Sequence, residues 1–414
     1  MKLSQLYRGK SALLKGNFLL LTISWMFMFF AQPIPATFAS LYYLNLGADA
    51  FLLSIIGFAS SIALALVQFP GGYLADKHGR RWLVSTMTFG LGVGTLFFIF
   101  APSWPFIMVG MIVQSLCSIY GPALMAMLFD SLPPDNRGSG YSIQSVITNL
   151  VLWPGPLIAQ LLIFLFNFDL GMRIAYTVIM VSYFAAATLR LKLTETLPPN
   201  GVSRRPKFLD ALREYPKSVK ESLGVWRKIS GSAFYVFLSS IAINGLIVSC
   251  QLYFVVYATE VLNVTESQWA LVLAFMYLAI AVPAILAGLI MDVVGRKRFL
   301  ILGYLLFIPG MLLFVGADFN TLLLAFFLYG LGNMLQLTTY QVLISDMVPR
   351  NLRGTVNGCI HFFMYLAQGL LQVLCGFLYA FVSPQLPFLL LAVLAVPFSL
   401  LVVFKVSEPT VKEV

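Results

Sequence analysis

The sequence predicts an all-α integral membrane protein with twelve spanning helices in two pseudo-symmetric six-helix halves. Three observations carry this prediction. Of the 414 residues, 60% are hydrophobic and only 10% charged, against roughly 25% charged residues in a soluble domain. The apolar residues gather into about twelve long stretches separated by short polar turns. One of those turns, GGYLADKHGRR at residues 71–81, has a twin in GLIMDVVGRKR at 288–298. No single core could hide so much apolar surface from water, so part of the solvent must be lipid.

A hydrocarbon layer about 30 Å thick needs roughly 20 apolar residues per helix. That length assigns spans one to six to residues 17–44, 50–72, 82–101, 105–130, 140–166 and 171–190. Spans seven to twelve fall at 231–259, 268–290, 299–317, 320–345, 356–382 and 385–404. The first stretch follows a basic start, but at about 28 residues it is too long for the apolar region of a signal peptide and reads as a span. Pro33, Pro35, Pro154 and Pro156 predict kinks in spans one and five. The halves are expected at 1–192 and 231–414, joined by a polar segment at 193–230.

Orientation follows from the basic residues. With the N-terminus inside, 25 of the 26 Lys and Arg lie in inner segments, and only Arg173 lies outside. This is the positive-inside pattern. The net charge of +10 is therefore a topology signal, and no nucleic-acid partner is expected. In the joining segment Leu212, Tyr215, Val219, Leu223 and Trp226 recur at three- and four-residue steps, with Lys and Arg on the opposite face. Such a stripe suits the anionic lipid of the inner leaflet. The expected location is the cell membrane, multi-pass, with both termini cytoplasmic and the chain a monomer.

The twin turns define an internal repeat. Aligning Asp76 with Asp292 sets an offset of 216 that also carries Gly79 to Gly295 and Arg80 to Arg296. The same offset lays DSLPPDNRG (130–138) on DMVPRNLRG (346–354), pairing Asp130 with Asp346 and Arg137 with Arg353. One offset satisfying two separate motifs implies a parallel duplication, as in some secondary transporters.

These residues resemble the major facilitator superfamily, whose signature between spans two and three is G-x-x-x-D-x-x-G-R-[KR]. Gly72, Asp76, Gly79, Arg80 and Arg81 match it, and Gly288, Asp292, Gly295, Arg296 and Lys297 match it again. The resemblance implies that Asp76 meets the start of span eleven near Thr355 and that Arg80 pairs with Asp130. Asp292, Arg296 and Asp346 would form a second latch. Such residues would gate an alternating-access transporter and would not read its solute. The stretch from Leu41 to Asp76 looks like the drug-efflux branch. Of that branch's span-five motif, G-x-x-x-G-P-x-x-G-G, this chain keeps Gly155-Pro156 but has Val151, Ala159 and Gln160 at the remaining positions.

Solute-binding candidates are polar residues inside spans, where they are costly and face a cavity or another helix. Tyr329, Asn333, Gln336 and Tyr340 share one face of span ten. His361, Tyr365, Gln368 and Gln372 repeat that spacing on span eleven. Asn149, Trp153 and Gln160 follow one stripe on span five, and Gln32, Gln114, Asn244 and Gln251 add single groups elsewhere. All sixteen acids lie in loops or at span ends, so proton coupling would run through His361 or the solute itself. Two histidines and four cysteines without metal-site spacing give no metal, cofactor or nucleophile–base constellation, and an enzyme is not expected. The expected partner is a small neutral or weakly cationic amphipathic solute. A sugar-like metabolite carrier is the alternative, and a transport-derived sensor or lipid mover represents another class. The topology predicts that Arg205→Cys and Lys412→Cys variants are labelled by impermeant thiol reagents from the cytoplasmic side. Labelling from the outside alone would overturn it.

Overall fold

The computed structural model describes residues 16–132, 144, 147, 148, 150–197, 231–347 and 353–408. The amphipathic stripe at 212–226, Arg137 and Asn149 lie outside the described residues. The fold is all-helical, and among the described residues ten helices are long and apolar enough to cross a bilayer. Two shorter apolar helices, Pro154–Phe166 and Glu266–Ala281, take the places of spans five and eight.

Lipid offers the backbone no hydrogen-bond partner, so the breaks in these helices are informative. Span one divides into Gly16–Ala31, Pro33–Ala36 and Ala39–Asn45, breaking where Pro33 cannot donate to the helix ladder. Span four passes through a short 3-10 turn at Ser118–Tyr120, and span seven divides between Gln251 and Phe254. Span eleven (Arg353–Phe377) ends in a π-helical turn, Leu378–Val382. Span eight starts on a reciprocal cap in which the Thr265 hydroxyl accepts from the Gln268 N–H while the Gln268 side chain accepts from the Thr265 N–H.

Arg173, the one basic residue that the charge pattern leaves outside, is held by its surroundings. Its Nε donates to Asp169 at 2.8 Å, and its Nη1 and Nη2 donate to the Ile99 and Ala101 carbonyls at 2.7 and 3.0 Å. Ile99 is the last residue of span three (Arg80–Ile99) and Ala101 lies just past it, where a cation also answers the negative end of the helix dipole. Packing explains the exception to the charge rule.

The described chain forms two compact units. One runs to Ala36 and resumes at Leu66 through residue 197; the other holds Thr37–Ala65 and everything from Gly231 onward. Phe18, Leu21, Leu83, Val84, Met127 and Leu128 are buried together in the first. In the second, Phe254 of span seven, Phe314 of span nine, Phe326 of span ten and Phe388 of span twelve meet at ring separations of 4.8 to 5.6 Å. Residues 37–65 precede the chain's midpoint yet dock here. The Trp269 Nε1 donates to the Thr37 carbonyl at 3.1 Å, and the Tyr253 hydroxyl to the Ala50 carbonyl at 2.9 Å.

Spans nine (Arg296–Val315) and ten (Phe319–Met347) cross in backbone contact. A Cβ added to Gly303 would sit 2.9 Å from the Gln336 nitrogen, and one added to Gly332 would sit 2.9 Å from the Gly303 oxygen. Small residues let membrane helices approach this closely, and the gain is dispersion. Gly303→Val should therefore cost about 1–3 kcal/mol, the usual penalty of overpacking, and lower the thermal midpoint of unfolding. Gly316→Ala, where an added Cβ meets nothing within 4 Å, should leave it unchanged. An unchanged midpoint in Gly303→Val would refute the backbone contact.

Candidate functional site

The two glycine turns of the repeated motif are built alike. Span two (Ala50–His78) and span three are separated by Gly79 alone, at φ +91°. Span eight (Glu266–Val294) and span nine are separated by Gly295, at φ +103°. A residue with a Cβ is strained in that left-handed region, which is why both copies of the motif place glycine there. Neither glycine has a side chain to cap the helix that follows. The first free N–H groups of spans three and nine therefore need an outside acceptor.

Two glutamates supply it. Glu195, just past span six (Phe168–Arg190), accepts from the Arg81 N–H at 3.0 Å, and the Arg81 guanidinium returns a bond to the Leu191 carbonyl at 2.7 Å. Glu408, just past span twelve (Leu386–Lys405), accepts from the Lys297 N–H, and Lys297 Nζ donates to the Val403 carbonyl at 2.7 Å. Each turn is thus a clasp: an acid at a helix N-terminus and a base at a helix C-terminus, both favoured by the dipoles. Sequence reasoning missed both glutamates. They stand 213 residues apart while the turns stand 216 apart, so the offset that exposes the turns passes over their caps.

Arg80 Nη1 pairs with Asp130 Oδ2 at 2.5 Å and also donates to the Thr196 hydroxyl at 3.2 Å. Asp130 keeps 42% of its side chain exposed, so this pair is worth at most about 1 kcal/mol. Gly72 and Asp76 lie on span two and Asp292 on span eight, Asp346 on span ten and Arg353 on span eleven. The side chains of these four charged residues lie outside what the structure describes. Arg296 is half-buried at the start of span nine.

The polar residues of the spans divide by environment. Gln114 of span four donates to Thr95 Oγ1 of span three at 3.0 Å, a bond between helices of the first unit. Gln251 donates to the Tyr329 hydroxyl at 3.1 Å, joining spans seven and ten. Gln368 of span eleven donates to Ser61 Oγ at 3.0 Å, and Ser61 donates to Gln372 Oε1 at 2.9 Å. His361 is exposed and stacks on the half-buried Tyr365, ring centroids 6.2 Å apart. Asn244 and Asn333 are half-buried, Gln32 is exposed, and Trp153 precedes the helix of span five with 39% of its surface exposed. Gly155 faces Pro33, where an added Cβ would lie 2.6 Å away, so the glycine lets spans five and one touch.

Two residues stand apart. Gln336 is fully buried on span ten beside Tyr340, and neither its Oε1 nor its Nε2 has a hydrogen-bond partner. Arg190, which the sequence places among the inner basic residues, turns its side chain into the first unit and is fully buried. Among the described residues, no group of three His, Cys, Asp or Glu is placed to hold a metal ion.

Comparison with known proteins bears on the fold and the family. The sequence profile of the Major Facilitator Superfamily matches residues 16–263 and 237–414. A Na(+), Li(+), K(+)/H(+) antiporter of Planococcus maritimus is 26% identical over 248 residues, a match spanning 56% of this chain and little more than half, 55%, of that protein. An uncharacterized MFS-type transporter of Methanocaldococcus jannaschii is 22% identical over 387 residues, 87% of each chain. Among solved structures, a D-xylose-proton symporter superposes with a TM-score of 0.73 at 17% identity, covering 94% of this chain and 97% of that one. With the family profile matched along nearly the whole chain, over twelve helices and a twice-repeated glycine turn, this protein belongs to the Major Facilitator Superfamily.

Proposed function

We propose that this secondary transporter moves a small neutral or weakly cationic amphipathic organic solute, in the efflux direction, by alternating access. The observation that carries the reading is the amide of Gln336. A buried donor and acceptor left unpaired costs about 1–3 kcal/mol, and a solute bearing both a donor and an acceptor would satisfy it. Asn333 and Tyr340 share its helix, and Gln251, Gln368 and Tyr365 extend the uncharged polar set over spans seven and eleven. Such groups offer hydrogen bonds and aromatic faces without a fixed countercharge. Monovalent cation exchange, the activity named for the Planococcus relative, would want a carboxylate at mid-span, and all sixteen acids of this chain lie in loops or at span ends. Coupling to protons, if the solute does not carry them, falls to His361.

The inner turns serve as gates in this reading. Asp76, Arg80, Arg81, Asp130 and Arg137 form one latch, and Asp292, Arg296, Asp346 and Arg353 its repeat, with Glu195 and Glu408 holding the turns in shape. Residues 1–192 and 231–414 act as the two moving halves. The joining segment 193–230 rests on the anionic inner leaflet, and both termini face the cytoplasm.

Two outcomes are expected. Asn333→Ala and Gln336→Ala should each weaken solute binding by about 1–3 kcal/mol, the value of a lost bond in a desolvated site, measured on the purified protein with a panel of drugs, sugars, carboxylates and lipids. Full binding and transport in the double variant, or selective uptake of a dianion into proteoliposomes, would defeat the solute proposal. Asp76→Asn removes a charge whose attraction to a helix start is worth about 0.3–1 kcal/mol, up to about 2 when partly buried. Turnover should fall and the conformational balance shift toward inward-facing in spectroscopic distance measurements, while solute affinity changes less. Unchanged turnover together with an unchanged balance would remove Asp76 from the gate.

A further inference from the structure

Residues 37–65 lead from span one into span two as a helical hairpin, and the chain enters and leaves this hairpin at prolines. On the way in, span one is broken between Ala31 and Ala39, around Pro33 and Pro35. On the way out, span two carries Pro70, which has no N–H for the carbonyl of Leu66. The boundaries of the two compact units fall at these places, between Ala36 and Thr37 and between Ala65 and Leu66. Pro33 itself stays with the first unit, packed against Gly155 of span five. Sharp bends in a helix occur where its ladder lacks a rung, at proline above all.

The internal repeat builds the same element a second time. Under the offset of 216, Thr37 falls on Tyr253, where span seven is broken between Gln251 and Phe254. Span eight then carries Pro283 inside its helix, within one turn of the position equivalent to Pro70. The two hairpins hold one another reciprocally. Trp269 Nε1 of the second donates to the Thr37 carbonyl at 3.1 Å, and the Tyr253 hydroxyl donates to the Ala50 carbonyl of the first at 2.9 Å. Residue 37 and its equivalent 253 thus each bond the opposite hairpin, as in a two-fold contact. Span eleven closes on the first hairpin as well. Gln368 donates to Ser61, Ser61 donates to Gln372, and the Phe51 and Phe381 rings lie 5.4 Å apart. These partners are neutral side chains and backbone carbonyls, so the hairpin can leave them without stranding a charge.

We propose that residues 37–65 are a hinged gate that turns as one piece on Pro33 and Pro70, apart from the rest of its half, with the Trp269 indole and the Tyr253 hydroxyl as its latch. The described structure is then the latched state, shut at the end of span two remote from the Gly79 turn. Exposure along span eleven agrees with a path shut there. On the face that meets the gate Gln372 is buried, Gln368 and Tyr365 are half-buried and His361 is exposed. Leu370 and Leu374, exposed half a turn away, form the face suited to lipid. Exposure on the gate's face therefore rises with distance from the gate. Such a gate presupposes the alternating-access reading and divides its first moving half into two bodies.

The test is pulsed electron-spin distance measurement on the full-length protein in proteoliposomes, with the four native cysteines replaced by alanine. Labels at the exposed positions Asn45→Cys and Phe100→Cys report the gate against the end of span three in its own half. Labels at Asn45→Cys and Asn320→Cys report it against span ten. Tyr253→Phe and Trp269→Phe each remove one latch bond and keep an aromatic ring. Each should move the balance toward the released state by about fivefold, the value of one neutral hydrogen bond, and both label pairs should gain a second distance. A fixed Asn45–Phe100 distance while Asn45–Asn320 changes would overturn the hinge and leave alternating access intact. No change in either pair, in both variants, would overturn the latch. Should Trp269→Phe fail to fold, Tyr253→Phe carries the test, its ring still stacked on Tyr379 at 4.3 Å. Pro70→Ala restores the missing N–H and should suppress the second Asn45–Phe100 distance; an undiminished one would remove Pro70 from the hinge. If no solute is moved while Asn45–Phe100 takes two distances, the solute proposal falls and the gate stands.

Discussion

The absence of hydrogen-bond partners in lipid governs this structure. Every backbone N–H and C=O inside the membrane must be satisfied by the protein. Twelve helices meet that demand along their lengths, and the chain's other features deal with the places where a helix ends or breaks. The sharpest are the turns at Gly79 and Gly295, where one residue separates two spans and the second helix starts with uncapped N–H groups. A carboxylate from beyond span six or span twelve meets that need in each case. The twice-repeated motif and the two glutamates are therefore parts of one device, and the backbone geometry links them.

The same constraint shapes the polar chemistry between helices. Thr22, Ser24, Thr88, Thr95 and Ser249 each donate to a carbonyl three or four residues back. A hydroxyl bonded in this way has spent its proton and offers only an oxygen. Three of these oxygens accept bonds from other helices: Ser24 and Thr88 from Arg190, and Thr95 from Gln114. In the second unit Tyr304 of span nine bonds to Ser239 and Ser240 of span seven at 3.2 and 3.1 Å. Serine and threonine thus turn apolar helices into acceptor surfaces for a few strong donors, without leaving a free O–H in lipid.

Magnitudes separate the contacts that shape the protein from those that bias it. The half-exposed Arg80–Asp130 pair contributes little to stability. Close packing at Gly303 and Gly332, and the aromatic cluster of spans seven, nine, ten and twelve, contribute through many dispersion contacts and define the second unit. Residues 37–65 dock there through similar means, with Gly57 against Gln372, Gly369 against Phe58 and Ser61, and hydrogen bonds from Tyr253 and Trp269.

The sequence by itself determined the membrane class, the twelve spans, the repeat at an offset of 216 and the family, because these are written in hydropathy, charge and spacing along one dimension. It also marked where helices would break, at Pro33 and at the motif glycines, since backbone strain is local. It did not show that Glu195 and Glu408 complete the turns, because a three-residue slip separates the caps from the repeat. It gave Arg190 the look of an inner-loop cation, since a basic residue at a span end ordinarily extends to the interface. Only the tertiary structure turned that side chain inward onto Ser24, Thr88 and Tyr120, and only packing left the Gln336 amide buried without a partner. Both outcomes depend on what three or four helices distant in sequence place around one side chain, and no periodicity within a single helix records that.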